Sequence, residues 1–347
     1  MTTYLMMIAP SGNRVYAAGS APLAAAELEV CAGHVLADVR PLRLAGADYL
    51  AFETDQSLDE DGLALLAGQS LRLAVFERTG DAEAPLLRPV EVPEVDLLDD
   101  DLVSIPKYPG KTNELFTRML LNVTLAQVRR SPGEDGRFTV LDPLCGRGTT
   151  LTTAWLAGHH GAGVEGDEKA VEQGAAFLRT WLRRKRLKHT AEVRPVRRDG
   201  KVLGRRLEVE VRPEGTAPLQ LTVLTGDTRR SAELYGKRRF DAVVTDAPYG
   251  VVHGSQTDVR GVSGRRDRSP AGLLREAIPV WASQLRQGGA LGLSWNTFGL
   301  AREDLLGLLA DAGLEPLDGG PWHRFSHRVD SSIQRDLVVA TKPAATT

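Results

Sequence analysis

The feature of this chain that most limits its fold is the alternation of short apolar strands with longer helices from residue 138 to residue 342. The strand candidates are FTVLDP, GAGVEGD, LQLTVLTGD, RFDAVVTD, GGALGLSWN and RDLVVATK. Strands that alternate with helices of ten or more residues favour a mostly parallel sheet with helices on both faces. We therefore predict a doubly wound α/β fold, in which ligands bind at the carboxyl ends of the strands.

A chain of 347 residues is long enough for two domains. Residues 1–90 contain short extended candidates (TYLMMIA, RVYAAG, ADYLAFET and LRLAVFER) and a helical segment at 21–34, which predict a small α+β domain. Residues 91–110 combine prolines with clustered acids and are predicted to be a linker. The α/β domain is then expected to span residues 111–345.

The charge of the chain is unevenly distributed. Residues 1–100 contain six arginines, no lysine and seventeen acidic residues, a formal charge of −11, whereas the remainder carries +9. A polyanionic partner is therefore expected to meet the second region. The composition, with 42% hydrophobic and 25% charged residues, is that of a globular protein. With no apolar run of about 20 residues, no signal peptide and two distant cysteines, the sequence predicts a cytoplasmic protein without membrane contact.

The first strand of the α/β region ends in the glycine loop LDPLCGRGTT, residues 141–150. Gly146 and Gly148 allow a tight turn and a close approach of the backbone to a ligand. The third glycine of a dinucleotide fingerprint is missing, and so is the lysine of a phosphate-binding loop. The loop therefore suits a nucleoside ligand that has no pyrophosphate.

Polar groups at three strand ends predict the nature of that ligand. Glu165 is placed to accept hydrogen bonds from ribose hydroxyls, Asp227 from an adenine amino group, and Asp142 faces a cationic end. S-adenosylmethionine fits this set, and NAD is the alternative that the loop disfavours. The remaining predicted cofactor contacts lie in the same loops and are Cys145 (as a small turn residue), Thr149, Gly166 and Thr228.

The fourth strand ends in Asp246, Ala247, Pro248 and Tyr249, which we predict to be the catalytic set. The Asp246 carboxylate and the Ala247 carbonyl can accept hydrogen bonds from an exocyclic amine and orient its lone pair toward a methyl donor. Pro248 biases Ala247 toward an extended conformation, which aims that carbonyl. Tyr249 offers a flat face on which a splayed-out base can stack.

LDPLCGRGTT followed by TDAPYG resembles the amino-methyltransferase branch of the class I S-adenosylmethionine-dependent methyltransferases. The nearest resemblance is to the tRNA guanine methyltransferase family that usually carries a THUMP domain, since the lead-in YPGKTNELFTRMLLN and the order of the motifs are also similar. The similarity covers residues 105–342. It implies a Rossmann-like fold, S-adenosylmethionine as cofactor, and a segment with Thr112, Asn113 and Phe116 that closes over the cofactor site.

The chain departs from that family in two respects. The family's usual motif is D-P-P-Y, and here Ala247 replaces the first proline. The N-terminal region is also too short for the usual ferredoxin-like module and a complete THUMP domain, and its acidity argues against a large RNA-gripping surface there. The resemblance therefore leaves both the target base and the mode of RNA selection open.

Two basic segments are candidates for contact with a polyanion. Residues 179–212 hold thirteen lysines and arginines against four acids, and an inserted hairpin is predicted at about 190–212. Phosphate contact and a merely solvated hairpin are both open interpretations. The glycine-rich loop 250–269 is favoured for substrate contact through its arginines, namely Arg260, Arg265, Arg266 and Arg268. No metal site is predicted, because the histidines have no partners at ligand spacing.

The resulting functional hypothesis is methyl transfer from S-adenosylmethionine to an exocyclic amine of an RNA base, with guanine in tRNA as the expected target and 2-methylguanosine as the product. The same chemistry on adenine in DNA is the alternative within this class. Methylation of a protein glutamine is disfavoured, because that branch prefers Asn where this chain has Asp246. An alternative of another class is a non-catalytic methyltransferase fold that binds RNA or a protein partner.

Overall fold

The computed structural model describes residues 1–10, 14–81, 84–106, 108, 111–198, 201–247 and 270–344. The first region forms a five-stranded antiparallel sheet in the order β2-β3-β1-β4-β5, with two helices in its described part. Its elements are β1 (Thr2–Ile8), α1 (Arg14–Ala32), β2 (Ala37–Leu44), β3 (Ala47–Thr54), α2 (Glu60–Ala67), β4 (Arg72–Gly80) and β5 (Pro85–Val90).

The prediction for RVYAAG was wrong, because these residues form the first turns of α1 rather than a strand. A short apolar run does not distinguish a strand from a buried helix, and here the alanine-rich segment that follows continues the helix. Strands β2 and β5 and helix α2 were not predicted from the sequence. Two of these, β2 and β5, are edge strands that contain proline, a residue that weakens the sequence signal of a strand.

The second region contains the helices and strands of the α/β fold. They are α3 (Asp101–Ser104), α4 (Glu114–Leu125), β6 (Thr139–Asp142), α5 (Thr149–Leu156), β7 (His160–Glu165), α6 (Glu168–Arg184), β8 (Lys188–Arg198), β9 (Lys201–Arg212), β10 (Leu219–Thr225), α7 (Ser231–Tyr235), β11 (Phe240–Asp246), α8 (Pro270–Gln284), β12 (Leu285–Asn296), α9 (Arg302–Asp311), β13 (Glu315–Leu317), β14 (His327–Arg328) and β15 (Gln334–Thr341).

These strands form a ten-stranded sheet in the order β13-β15-β12-β11-β6-β7-β10-β9-β8, with β14 paired to β15. The central strands β12, β11, β6, β7 and β10 are parallel, and β15 and β9 flank them in antiparallel orientation. The predicted fold class, a Rossmann-like, mostly parallel sheet with a small α+β region before it, is confirmed. The chain order reverses between β6 and β11, and this switch point is where open α/β sheets bind ligands.

The buried core lies on both faces of the sheet. One cluster joins α8 and α9 to β11 and β12 around Trp281 and Trp295, and another joins α5 and α6 to β9 and β10 around Trp155 and Trp181. A third cluster combines side chains of the first region with those of α4 and β6. Because the two regions share this third cluster, α4 is held between them, and the division of the chain at residues 90 and 111 stays a prediction.

The segment predicted to be a linker is attached to the second region. It contains α3, where the Asp101 carboxylate accepts a hydrogen bond from Trp181 Nε1 at 2.7 Å and pairs with Lys185 at 2.8 Å. These contacts hold the segment against α6. In the ranges that the structure describes, no helix is both long and apolar enough to cross a membrane.

Candidate active site

Two carboxylates lie at the switch point, Asp142 at the end of β6 and Asp246 at the end of the neighbouring β11. The Asp142 side chain is buried and accepts hydrogen bonds from Thr245 Oγ1 at 2.7 Å and from Leu144 N at 3.1 Å. Burial raises the pKa of Asp142 to about 6, against the opposing effect of hydrogen bonds from Thr245 and Thr150. The nearby Asp246 raises it further. This carboxyl group is therefore prepared to ionise when a cation approaches.

The glycine loop between β6 and α5 has the conformation that the sequence predicted. Gly146 and Gly148 have φ values of 53° and 91°, in the left-handed region that favours glycine. A Cβ atom at Gly146 would meet no other atom within 4 Å, so the backbone of the loop is open to its surroundings at this residue. Cys145 is buried, and burial raises the pKa of its thiol, which agrees with a turn-filling role rather than a nucleophilic one.

Glu165 lies beside this loop at the end of β7. Its Oε2 accepts a hydrogen bond from Gly146 N and its Oε1 one from Asp167 N, both at 2.8 Å. Each carboxylate oxygen has a further lone pair, which a ribose hydroxyl can use. Gly166 follows directly, and Gly226 N donates to the carbonyl of Glu165 at 2.9 Å, so the end of β10 is joined to the same edge.

Asp227, at the end of β10, is engaged within the protein. Its carboxylate pairs with Arg229 at 2.5 Å, and this hydrogen-bonded ion pair lowers the pKa of Asp227. Arg229 also pairs with Glu276 at 2.9 Å. Thr228 is buried, and its hydroxyl accepts a hydrogen bond from Trp281 Nε1 at 3.0 Å. Contact of Asp227 and Thr228 with an adenine ring therefore stays a prediction, and Asp227 would have to share its oxygens with Arg229.

The segment before α4 reaches the second carboxylate. Thr112 Oγ1 donates a hydrogen bond to Asp246 Oδ2. Asn113 caps α4, since its Oδ1 accepts from two backbone N–H groups at 2.9 and 3.3 Å. Phe116 is fully buried, with its ring centroid 5.0 Å from that of His327. The structure thus gives Asn113 a capping role and Phe116 a packing role, and their predicted contact with a cofactor is untested.

The Asp246 carboxylate has two neighbours that the sequence analysis did not identify. Ser294 Oγ, near the carboxyl end of β12, donates to Asp246 Oδ1, and Arg335 Nη2 lies 4.0 Å from Oδ2. The backbone N–H of Ala247 donates to the carbonyl of Ser294 at 2.8 Å. Ser294 could have been found, because it lies two residues before the carboxyl end of a predicted parallel strand. Arg335 could not, because it reaches this edge only through the antiparallel pairing of β15.

Tyr108 is a further residue of the site that the sequence analysis missed. Its hydroxyl lies 2.9 Å from Thr149 Oγ1, at the start of α5, and the Arg147 guanidinium stacks 4.3 Å from the centre of its ring. Burial raises the pKa of this tyrosine. Tyr108 therefore connects the segment before α4 with the glycine loop.

Several predicted residues lie outside the part of the chain that the structure describes. They are Pro248 and Tyr249 of the catalytic motif and the loop arginines Arg260, Arg265, Arg266 and Arg268. Their roles stay predictions.

The basic hairpin is the strand pair β8–β9, which extends the sheet beyond β10. Four of its arginines pair with glutamates, and the pairs are Arg194–Glu192, Arg205–Glu172, Arg206–Glu208 and Arg212–Glu210. This pairing reduces the positive charge that the hairpin offers to a polyanion and favours the interpretation of a solvated hairpin.

Comparisons with known proteins found similarity only among solved structures. No protein-family model and no curated protein matches the chain. Among solved structures, TrmN from Thermus thermophilus is similar at 13% identity, with 99% of this chain and 100% of that chain covered and a TM-score of 0.44. The rRNA methyltransferase aviRa from Streptomyces viridochromogenes is 21% identical, with 73% and 94% covered and a TM-score of 0.38.

TehB from Haemophilus influenzae is 13% identical over 59% of this chain, with a TM-score of 0.35, and this chain spans 58% of its length. Since each of these TM-scores is below 0.5, the similarities say nothing about substrate or activity. The fold class rests on the strand order of this protein's own sheet.

Proposed function

We propose that this protein is an S-adenosylmethionine-dependent methyltransferase that acts on an exocyclic amine of an RNA base, with guanine in tRNA as its target and 2-methylguanosine as its product. The observation that carries the proposal is the adjacency of Asp142 and Asp246 at the switch point of the sheet, next to a glycine loop whose backbone is open to its surroundings at Gly146. The Asp142 carboxylate suits a cation, and the Asp246 carboxylate suits an amine.

The residues of the first two strand ends fit this cofactor. The buried Asp142 carboxyl gains a partner when a sulfonium or ammonium group lies beside it, and Glu165 retains acceptor capacity for the ribose. Bound there, S-adenosylmethionine supplies an electrophilic methyl group. NAD suits the loop less well, because a pyrophosphate needs the third glycine that this loop lacks.

The chain's contribution to catalysis is positioning. Ser294 and Thr112 donate to the two oxygens of Asp246 and so orient its remaining lone pairs toward the target amine. Hydrogen bonds from the amine to Asp246 and to the Ala247 carbonyl direct the nitrogen lone pair at the methyl carbon. With S-adenosylmethionine bound, the amine nitrogen held by Asp246 and Ala247 would take its methyl group and would then lose its extra proton to water. No strong base is needed before this step.

The formal charge of +9 in the second region supports a polyanionic substrate, and RNA is preferred to DNA because the motifs LDPLCGRGTT and TDAPYG resemble those of a tRNA methyltransferase family. Tyr249 and the arginines of the loop 250–269 are proposed to hold the extruded base and the phosphates around it. The predicted localisation is cytoplasmic, where such a substrate is found.

The decisive experiment incubates the protein with labelled S-adenosylmethionine and separate pools of undermodified tRNA, ribosomal RNA and DNA, followed by nucleoside analysis. We expect 2-methylguanosine in the tRNA pool. The Asp246→Ala variant is the matched control, and it should lose transfer while it binds the cofactor normally. Methylated adenine in DNA with nothing in RNA would contradict the RNA assignment. Cofactor binding without transfer to any pool would favour the non-catalytic alternative.

A further inference from the structure

Phe298 presents an exposed aromatic ring near the carboxyl end of β12, at the same end of the sheet as the proposed target site. It lies in the turn that follows β12, and 70% of the residue is exposed. Of the exposed large apolar side chains in the described ranges, Phe298 is the one aromatic ring. Because this ring is not packed in the core, its faces are available for contact with a ligand.

The turn that carries this ring is held firmly. Asn296 Oδ1 accepts hydrogen bonds from Phe298 N at 3.3 Å and from Gln334 N at 3.2 Å, and Asn296 Nδ2 donates to the carbonyl of Ser332 at 3.1 Å. Thr297 N donates to the carbonyl of Gln334 at 2.8 Å. None of these contacts uses the ring of Phe298. The turn therefore fixes the ring's position without needing the ring for its own stability.

The turn that carries the ring follows the strand that is paired with the end of β11. Asp246 is paired in register with Ser294, and β12 continues from there to Asn296 before the turn begins. Two strand residues at about 3.3 Å each place Asn296 about 7 Å beyond Ser294. This offset is comparable to the length of one nucleotide, so the turn that begins after Asn296 is within reach of a nucleotide next to the target.

We propose that Phe298 stacks against an unpaired base of the RNA substrate that flanks the methylated nucleotide. This inference rests on the proposed function and extends it, because Tyr249 is the predicted platform for the target base itself. Aromatic side chains on rigid supports bind single-stranded bases in this way, with little dependence on sequence. The contact would select for a target in a loop or other unpaired segment.

The test compares Phe298→Ala, Phe298→Trp and Phe298→Leu with the wild type, using end-labelled undermodified tRNA and fluorescence anisotropy to measure Kd. Loss of one stacked base should weaken binding by about 5- to 150-fold in Phe298→Ala. Phe298→Trp should bind as the wild type does, whereas Phe298→Leu, which keeps apolar volume without a π face, should resemble Phe298→Ala. The dependence of Kd on salt should not change, because no phosphate contact is removed.

Leu86→Ala is the control, since Leu86 is an equally exposed apolar side chain on β5 and should have no effect. Wild-type affinity in Phe298→Ala, or equal affinities of the Leu and Trp variants, would overturn the stacking proposal. If the wild type binds tRNA without methylating any pool, the proposed function fails while the contribution of Phe298 is still measured. If the wild type binds no RNA, both proposals fail.

Discussion

Asp142 and Asp246 show how differently two neighbouring carboxylates can be held. Asp142 is buried, and its pKa is raised to about 6, chiefly by that burial. Asp246 receives hydrogen bonds from Ser294 and Thr112 and lies 4.0 Å from Arg335 Nη2. Asp142 can accept a proton near neutral pH, whereas both oxygens of Asp246 already accept hydrogen bonds. This difference matches the proposed roles of cation binding and amine orientation.

The raised pKa of Asp142 makes cofactor binding depend on pH. A cationic cofactor favours the ionised form, so its affinity should fall as the pH decreases below about 6, by up to about tenfold per pH unit. In the protein without cofactor, a lower pH has the opposite effect on the free energy of unfolding, which it increases. The raised pKa stabilises the fold at low pH, and this contribution is lost as the pH rises from about 4 to about 6.

Calorimetric titration with S-adenosylmethionine between pH 5 and pH 8 measures how the Kd of the cofactor depends on pH. The Asp142→Asn variant should bind weakly, and its affinity should vary less with pH than that of the wild type. The same pH dependence in both proteins would show that another group is responsible.

The hydroxyl of Thr112 donates to Asp246, so we expect it to matter for turnover, in place of the cofactor contact that the resemblance implies for this residue. Thr112→Val keeps the shape of the side chain but removes the donor to Asp246, and a hydrogen bond to a charged group contributes about 1.5–3 kcal/mol. We expect a fall in kcat of about 10- to 100-fold with the cofactor Kd unchanged. Thr112→Ser keeps the hydroxyl and is the matched control. Equal kcat values for the two variants would contradict a positioning role.

At the scale of elements, the two basic segments differ in how their charge is used. The hairpin β8–β9 is rich in arginine, yet each of Arg194, Arg206 and Arg212 pairs with a glutamate two residues away in sequence. Such exposed pairs contribute little to stability, and they offset the positive charge locally. The proposed contact with RNA phosphates is therefore assigned to the loop 250–269.

This assignment predicts a difference in the salt dependence of RNA binding. Replacing Arg265 and Arg266 by glutamine should reduce the slope of log Kd against log salt concentration by about 1.5, because each phosphate contact contributes about 0.7 to 0.9. Replacing Arg194, Arg206 and Arg212 together should leave the slope nearly unchanged. Fluorescence anisotropy over a range of salt concentrations measures both, and the reverse result would assign RNA contact to the hairpin.

At the scale of the whole molecule, a buried polar network joins the acidic first region to α4. The Glu27 carboxylate on α1 is fully buried and accepts hydrogen bonds from Ser70 Oγ at 2.5 Å and from Asn122 Nδ2 at 2.7 Å. Burial raises the pKa of Glu27 against the effect of these donors. Because α4 directly follows Thr112, the first region supports the segment that holds Asp246. The first region, whose negative charge disfavours RNA binding, therefore has a structural role.

Glu27→Ala should therefore lower the free energy of unfolding by about 3 kcal/mol, since it leaves buried donors without acceptors. Glu29→Ala is a control on the same helix, where a partly exposed pair with Arg324 is lost, and it should cost about 1 kcal/mol or less. Chemical denaturation followed by circular dichroism measures both changes. Similar costs for the two variants would argue against the importance of the network.

Much of this architecture could be predicted from local patterns in the sequence. The strands that end at Asp142, Glu165 and Asp246 were predicted correctly, because an apolar run bounded by polar and glycine residues is a local pattern. The loop conformation of Gly146 and Gly148 also followed from local stereochemistry. In the first region the same reasoning failed for residues 14–19, where an apolar run suited either a strand or a helix.

The environment of the carboxylates was decided by tertiary structure. Ser294 and Arg335 reach Asp246 from strands that follow it by 48 and 89 residues, and Asn122 reaches Glu27 across 95 residues. Periodicity reports which face of an element is buried, but it does not report which distant side chains meet there. The order of strand ends along the chain was the basis for predicting a nucleoside site and an amine site, and both stay predictions. The donors that hold Asp246, and the rigid turn that exposes Phe298, depend on how β11, β12 and β15 pair.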